Sequence, residues 1–208
     1  MKLLVIGAAG RTGRAMVEQG LSHGHDVTAF VHDAPLDIRD DHLRVVSGDV
    51  LDFQSVSKAV MGQDAVFSAL SHGKTAEGSV LSDGIGNIIH AMATYRVPKL
   101  VAVSATGTFA RNDRRLSLGY RAMLNTTLRA VYDELEAMER RVMASDLDWT
   151  IIRPTGLTDG PLTGDYRVSL EGEVLKSSKT ISRADVAALA LKALSGSTYS
   201  HRAVTIGN

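Results

Sequence analysis

Gly7, Gly10 and Gly13, spaced G-x-x-G-x-x-G, stand directly between the apolar run Leu3–Ile6 and the amphipathic stretch Arg14–Ser22. A tight turn from strand into helix needs residues that tolerate unusual backbone angles. A missing side chain also lets another group approach the main chain. The start of a helix adds unpaired N–H groups and partial positive charge, which together suit an anion. A glycine triplet alone says little. Its position, after a first strand and ahead of repeated βα units, is what constrains the fold and implies a dinucleotide-binding loop.

The repetition runs along the chain. Val27–Val31, Leu43–Val46, Ala65–Leu70, Leu100–Val103 and Trp149–Ile152 are strand-length and rich in β-branched residues. Phe53–Met61 and Ser79–Tyr95 are helix-length segments between them. Continuous apolar runs suit a parallel sheet covered on both faces. Leu124, Leu128, Val131, Leu135, Met138 and Val142 make one apolar stripe and predict a single helix over Leu124–Ala144. Ser182-Arg183-Ala184-Asp185 has capping-box form with Asp in place of the usual Glu, and opens a last helix ahead of a strand at Val204–Ile206. Between Thr155 and Lys179, Pro161, the glycines at 156, 160, 164 and 172 and a short alternating strand at Tyr166–Leu170 break the rhythm. The expected architecture is α/β: a doubly wound parallel sheet (Rossmann fold) with right-handed crossovers, one domain over 1–208, and a short excursion over the carboxyl edge.

Composition narrows the function classes. Lys+Arg and Asp+Glu are 23 each, so no global field draws in nucleic acid or an anionic membrane. There is no cysteine, which removes disulfides, thiolate nucleophiles and Cys-ligated metals and fits a reducing compartment. No run approaches a membrane span, and the N-terminus lacks the form of a signal peptide. A cytoplasmic protein without metal, nucleic-acid or membrane partners is expected, with a monomer slightly favoured.

Charge near the end of the second strand bears on the cofactor. Asp33 stands where an acid would bond the ribose 2′-hydroxyl of NAD. Arg11 within the loop, His32 and Arg39 argue for a 2′-phosphate. NAD and NADP are close to even on this chemistry. After the third strand, Asp49 could accept from an adenine amino group while the Val50 amide meets the ring.

These pieces together resemble the atypical short-chain dehydrogenase/reductases, and more closely the flavin reductase/biliverdin-IXβ reductase family. The resemblance rests on Gly7–Gly13, Ser47–Leu51, Gly62–Val66, Gly84 with Asn87-Ile88, Lys99–Ala102 and, most narrowly, Pro161–Gly172. Arg153-Pro154 and Ile181–Ala187 are common in the wider group. The resemblance implies NAD(P)H-dependent hydride transfer to flavins or flat tetrapyrrole-like acceptors, with Leu70, Ser71, Leu81, Val103 and Pro154 at the cofactor beside Arg11 and Thr12 of the glycine loop. In the mammalian member, arginines stand where His32 aligns and in the following loop. Here Ala34-Pro35-Leu36 follows, and Arg11 is the candidate substitute. NADP(H) is slightly favoured over NAD(H).

Other members of the superfamily use a Tyr-x-x-x-Lys pair for acid–base work. Here only Tyr95 and Lys99 have that spacing, and Pro98 prevents them from sharing a helix face. Hydride transfer to an oxidised flavin needs no such pair, because the protein's part is positioning. Ser104 is the best hydroxyl for bonding the acceptor or the carboxamide and is the candidate catalytic residue. Arg111, Arg114, Arg115 and Arg121 form a basic stretch that could attract an anionic acceptor. Two other readings remain open: a dinucleotide-sensing regulator without turnover, and an atypical dehydrogenase or isomerase.

Overall fold

The computed structural model describes residues 1–71, 79–110, 118–126, 128–171, 175 and 178–208. In chain order the elements are β1 (Lys2–Ile6), α1 (Arg11–Ser22), β2 (Asp26–Val31), β3 (Leu43–Ser47), α2 (Phe53–Val60), β4 (Ala65–Ser68), α3 (Val80–Tyr95), β5 (Lys99–Val103), α4 (Gly107–Ala110), α5 (Leu118–Asn125), α6 (Arg129–Met143), β6 (Asp148–Pro154), β7 (Gly156–Thr158), β8 (Arg167–Ser169), β9 (Thr180–Ser182), α7 (Arg183–Ser195) and β10 (Arg202–Gly207). The main sheet has the order β3-β2-β1-β4-β5-β6-β10-β8. Its pairings are parallel up to β10, and β8 closes the edge antiparallel to β10. This is the doubly wound α/β arrangement expected from the alternation of apolar runs and helices.

Alternate residues of each strand face opposite sides of the sheet, and the core divides accordingly. Leu3 and Val5 of β1 pack with Met16 and Val17 of α1 and with Val186, Leu189 and Ala190 of α7. Leu4 and Ile6 face the other way, among Val56, Ile85, Ile88, Met92, Met138 and Val142 from α2, α3 and α6. The run Leu43–Val46 departs from the others: β3 is an edge strand, and Val45 is 47% exposed.

The long helix expected over Leu124–Ala144 is two helices. The Thr126 and Leu128 amides both bond back to the Met123 carbonyl, and α6 starts afresh at Arg129. Leu135, Met138 and Val142 of the stripe are buried, whereas Val131 is 37% exposed. A periodic pattern reports which side chains are apolar, and this turn keeps the period almost in phase. The excursion is present as a small parallel pair, β7 with β9, together with β8.

Asp185 does not close the capping box in the usual way. Its amide bonds Ser182 Oγ at 2.9 Å, as a helix cap requires. Its carboxylate accepts from Ser182 Oγ (2.7 Å) and reaches the Pro161–Gly164 segment, accepting from the Thr163 amide (3.0 Å), the Gly164 amide (2.8 Å) and Thr163 Oγ1 (2.9 Å). Bound this way, the excursion is fixed to the first turn of α7.

Candidate functional site

The strand order reverses between β1, which leads to β2 and β3, and β4, which leads to β5 and β6. That switch point opens a crevice at the carboxyl edge, where ligands of such folds bind. The glycine loop lies there. Gly7 has φ +76, and a Cβ on it would stand 2.6 Å from the Ala69 carbonyl oxygen after β4. A Cβ on Gly13 would drive into the Gly7 carbonyl and stand 2.8 Å from the Ala8 Cα. These two glycines are required by packing of the turn itself.

Gly10 is different. Its backbone (φ −72, ψ 156) is one that any residue adopts, and its absent side chain would have a single close neighbour, the Gly7 carbonyl oxygen at 3.2 Å. It is the N-cap of α1 and offers no side-chain cap. The first helical bond runs from the Arg14 amide to the Gly10 carbonyl, so the Arg11, Thr12 and Gly13 amides precede the bonded ladder. No acid stands in the first turn to satisfy the helix dipole. The bare N-terminus fits the pyrophosphate of a dinucleotide.

Beside the loop lies a cavity of about 210 Å³. Thr12 forms its edge on α1, and Ala69, Leu70 and Ser71 enter from the end of β4. Val103 ends β5 and Ser104 follows it, Leu81 comes from α3, Val131 and Leu135 from α6, and Leu157 from β7. The walls are mostly apolar. The Ser104 amide donates to the Ile152 carbonyl at 2.8 Å, which fixes the residue at the strand end. Its Oγ is buried and has no hydrogen-bond partner among the described residues. An orphaned buried hydroxyl in an apolar cavity is costly unless a ligand meets it.

Six of the residues expected at the site thus share one cavity: Thr12, Leu70, Ser71, Leu81, Val103 and Ser104. Others lie around it. His32 is exposed at the end of β2, its Nδ1 3.6 Å from Asp33. Asp49 spends one carboxylate oxygen on the Leu51 amide, 2.9 Å away. Val50 is buried under Gly84, where a Cβ would meet it at 2.9 Å. Asn87 holds that loop through the Val50 and Leu51 carbonyls. Pro154 is buried at the end of β6 and does not line the cavity; its carbonyl accepts from the Thr106 amide and hydroxyl. Tyr95 and Lys99 are apart in function: Ser57 Oγ donates to the phenol, and the ammonium bonds Gly196 and Asp148. Arg111, Arg114 and Arg115 lie outside the described residues, as does the side chain of Arg121.

Arg11 does not face β2. Its guanidinium pairs at 2.9 Å with Asp159, which Arg183 at the start of α7 also grips at 2.6 Å. The two guanidinium groups hold the Asp159 carboxyl below its usual range, Arg11 contributing most. Arg14, one turn along, is occupied by Asp37 and Glu18. Sequence reasoning did not single out Asp159, and an acid 148 residues from the loop leaves no local signal. Val131 and Leu157 were equally hidden: Val131 read as part of the apolar stripe, and Leu157 lay unmarked within the excursion. Beneath the site, Thr108 Oγ1 donates to Glu139, which pairs with Arg153.

Among the described residues no cluster of His, Asp or Glu could hold a metal ion, and no helix is long and apolar enough to cross a membrane.

Comparison with known proteins agrees with this geometry. A family model described as NAD(P)H-binding matches residues 7–196. An uncharacterised chloroplastic protein of Arabidopsis thaliana is 32% identical over 216 residues, covering 99% of this chain and 76% of that protein. The structure of a proposed NADH-flavin reductase of Streptococcus pneumoniae superposes with a TM-score of 0.81 at 21% identity, over 100% of this chain and 99% of the other. That of ChuY, an anaerobilin reductase of Escherichia coli O157:H7, does so with a TM-score of 0.74 at 20% identity, over 99% and 96%.

Proposed function

The chain belongs to the NAD(P)H-binding family, and on that premise we propose that it is an NAD(P)H-dependent reductase passing hydride to flavins or similar flat conjugated acceptors, tetrapyrroles such as biliverdin included. The observation that carries this reading is the join between two features. A helix whose own first turn carries no acid opens at Gly10, and an apolar cavity containing one orphaned hydroxyl lies beside it. The first suits a pyrophosphate, and the second suits a flat ring that needs a single hydrogen bond.

When bound, the nicotinamide supplies the hydride. The chain's own residues do the rest. The Arg11, Thr12 and Gly13 amides bind phosphate oxygens. Leu70, Leu81, Val103 and Leu135 exclude water from the ring, which keeps the hydride from side reactions. Ser104 Oγ would donate to the acceptor or to the carboxamide and so help to orient it. The proton that completes reduction of a flavin comes from solvent, so no phenol–ammonium pair is needed. NADP(H) is the cofactor we favour over NAD(H), and one domain over 1–208 in the cytoplasm is the arrangement proposed. The proposed NADH-flavin reductase and the anaerobilin reductase that share the fold support the acceptor class.

The test is oxidation of NADPH and NADH by purified protein, in parallel, against FMN, FAD, riboflavin, biliverdin and a quinone. Turnover with a flavin or a tetrapyrrole is expected. Tight nucleotide binding without turnover on any acceptor would replace the reductase by a dinucleotide sensor.

A further inference from the structure

Asp159 lies outside the cavity, yet it controls the cation closest to the glycine loop. Arg11 is the first residue of α1, and its side chain is 70% exposed. It is drawn toward Asp159 and the N-terminus of α7. That helix packs against α1 on one flank and against β5 and β6 beneath. A 2′-phosphate on a dinucleotide would lie on the opposite flank, beyond the end of β2 near His32 and Asp33. Arg14, the other guanidinium on the first turns of α1, is held by Asp37 and Glu18. Asp159 is not equally free. Arg183, whose side chain is only 12% exposed, anchors it at 2.6 Å and keeps the carboxylate in place if Arg11 leaves.

We propose that Asp159 is a specificity-determining residue: by holding Arg11 against α7 it withholds that guanidinium from the 2′-phosphate of NADP(H), and so narrows the margin by which NADP(H) is bound over NAD(H). The inference rests on the dinucleotide-binding reading above. An exposed ion pair is worth little, so the restraint is a weak one that a phosphate can partly overcome. Removing it favours the ligand that carries the extra phosphate and leaves the other nearly unchanged.

The experiment is calorimetric titration of NADP⁺ and NAD⁺ into the wild-type protein, Asp159→Asn, Arg11→Ala and the double variant. Asp159→Asn is expected to tighten NADP⁺ by roughly twofold to fivefold and NAD⁺ by clearly less. The gain is expected to vanish in the double variant. Arg11→Ala alone is expected to weaken NADP⁺ by less than about threefold, which tests the restraint even if Asp159→Asn folds poorly. Equal tightening of both nucleotides would mean that Asp159 repels the shared pyrophosphate, and would overturn the proposal. So would an unshifted ratio, a gain that survives without Arg11, or a large loss on Arg11→Ala alone. If the wild-type protein binds neither nucleotide, the reading of function falls first and this inference with it.

Discussion

Arg153 and Glu139 close a two-point ion pair inside the protein, Nε to Oε1 at 2.9 Å and Nη2 to Oε2 at 2.5 Å, with the side chains 1% and 5% exposed. The pair ties the end of β6 to the middle of α6. Thr108 Oγ1 adds a bond to Glu139 Oε1 at 3.1 Å, and Thr106 Oγ1 bonds the Arg153 and Pro154 carbonyls. The segment after β5 that begins with Ser104 is therefore strapped to β6 by backbone and to α6 by charge.

Removing one partner of such a pair strands the other charge away from water. Arg153→Met is expected to cost about 3–5 kcal/mol of stability, and Glu139→Leu a similar amount. The double variant is expected to lose much less than the sum, because two apolar side chains then fill the space. Urea denaturation of the three variants measures this directly. Additive losses would mean that the pair is not the unit of stability.

The glycines of the loop separate fold from binding. Gly13→Ala places a methyl group against the Gly7 carbonyl and the Ala8 Cα, so it is expected to destabilise by roughly 1–3 kcal/mol. Gly10→Val sits on permitted backbone, but a branched residue is disfavoured at the N-cap and the Gly7 carbonyl oxygen stands 3.2 Å from its Cβ, so a loss of about 1 kcal/mol, at the low end of the Gly13→Ala cost, is expected. Its branched side chain would also cover the helix N-terminus, and nucleotide affinity is expected to fall at least tenfold. Thermal melts beside nucleotide titrations compare the two. A stable Gly10→Val protein with normal affinity would remove the loop from the site.

Much of this was legible in the sequence, for physical reasons. Strand runs buried on both faces are continuous, and β1, β4, β5 and β6 stood out for that reason. The glycine loop announced itself by position. Thr12, Leu70, Ser71, Leu81, Val103 and Ser104 share a cavity because strand ends and helix starts converge wherever the order reverses. What was hidden depends on long-range geometry. The break between α5 and α6 left the apolar period almost undisturbed, so two helices read as one. Asp159 meets Arg11 only once β7 and α7 have been packed, and nothing local marks it. Glu139 stands off the apolar stripe of α6, and only the approach of Arg153 on β6 makes it an interior residue.

Ser104 is expected to matter to turnover more than to stability. Its amide fixes the strand end whatever its side chain. Ser104→Ala removes an orphaned hydroxyl, so the melting temperature is expected to hold or rise slightly. Loss of one hydrogen bond to the acceptor or carboxamide is expected to lower kcat by roughly tenfold to a hundredfold, with nucleotide affinity little changed. Steady-state rates with a flavin, measured beside nucleotide titration, check both halves. Complete loss of turnover would give the hydroxyl a direct chemical role, and no loss would take it out of contact with the reacting rings.

Asp185 supplies the pH dependence. It is fully buried, and burial alone would raise its carboxyl pKa; bonds from Ser182, Gly164 and Thr163 outweigh burial and hold the group below the usual carboxylate range. A depressed folded-state pKa contributes stability that is present above the unfolded-state value and disappears as pH falls through the folded-state value. Asp185→Asn keeps the volume but offers an amide, whose N–H₂ faces donors that it cannot satisfy. The variant is expected to be less stable by about 2–3 kcal/mol at neutral pH. That deficit is expected to stay flat down to the ordinary carboxylate range and to shrink in stronger acid, where the wild type loses the same charge. Urea titrations from pH 7 down to the onset of acid unfolding trace the difference. A deficit that does not shrink as the carboxyl protonates would mean that shape, not charge, holds the Thr163–Gly164 turn against α7.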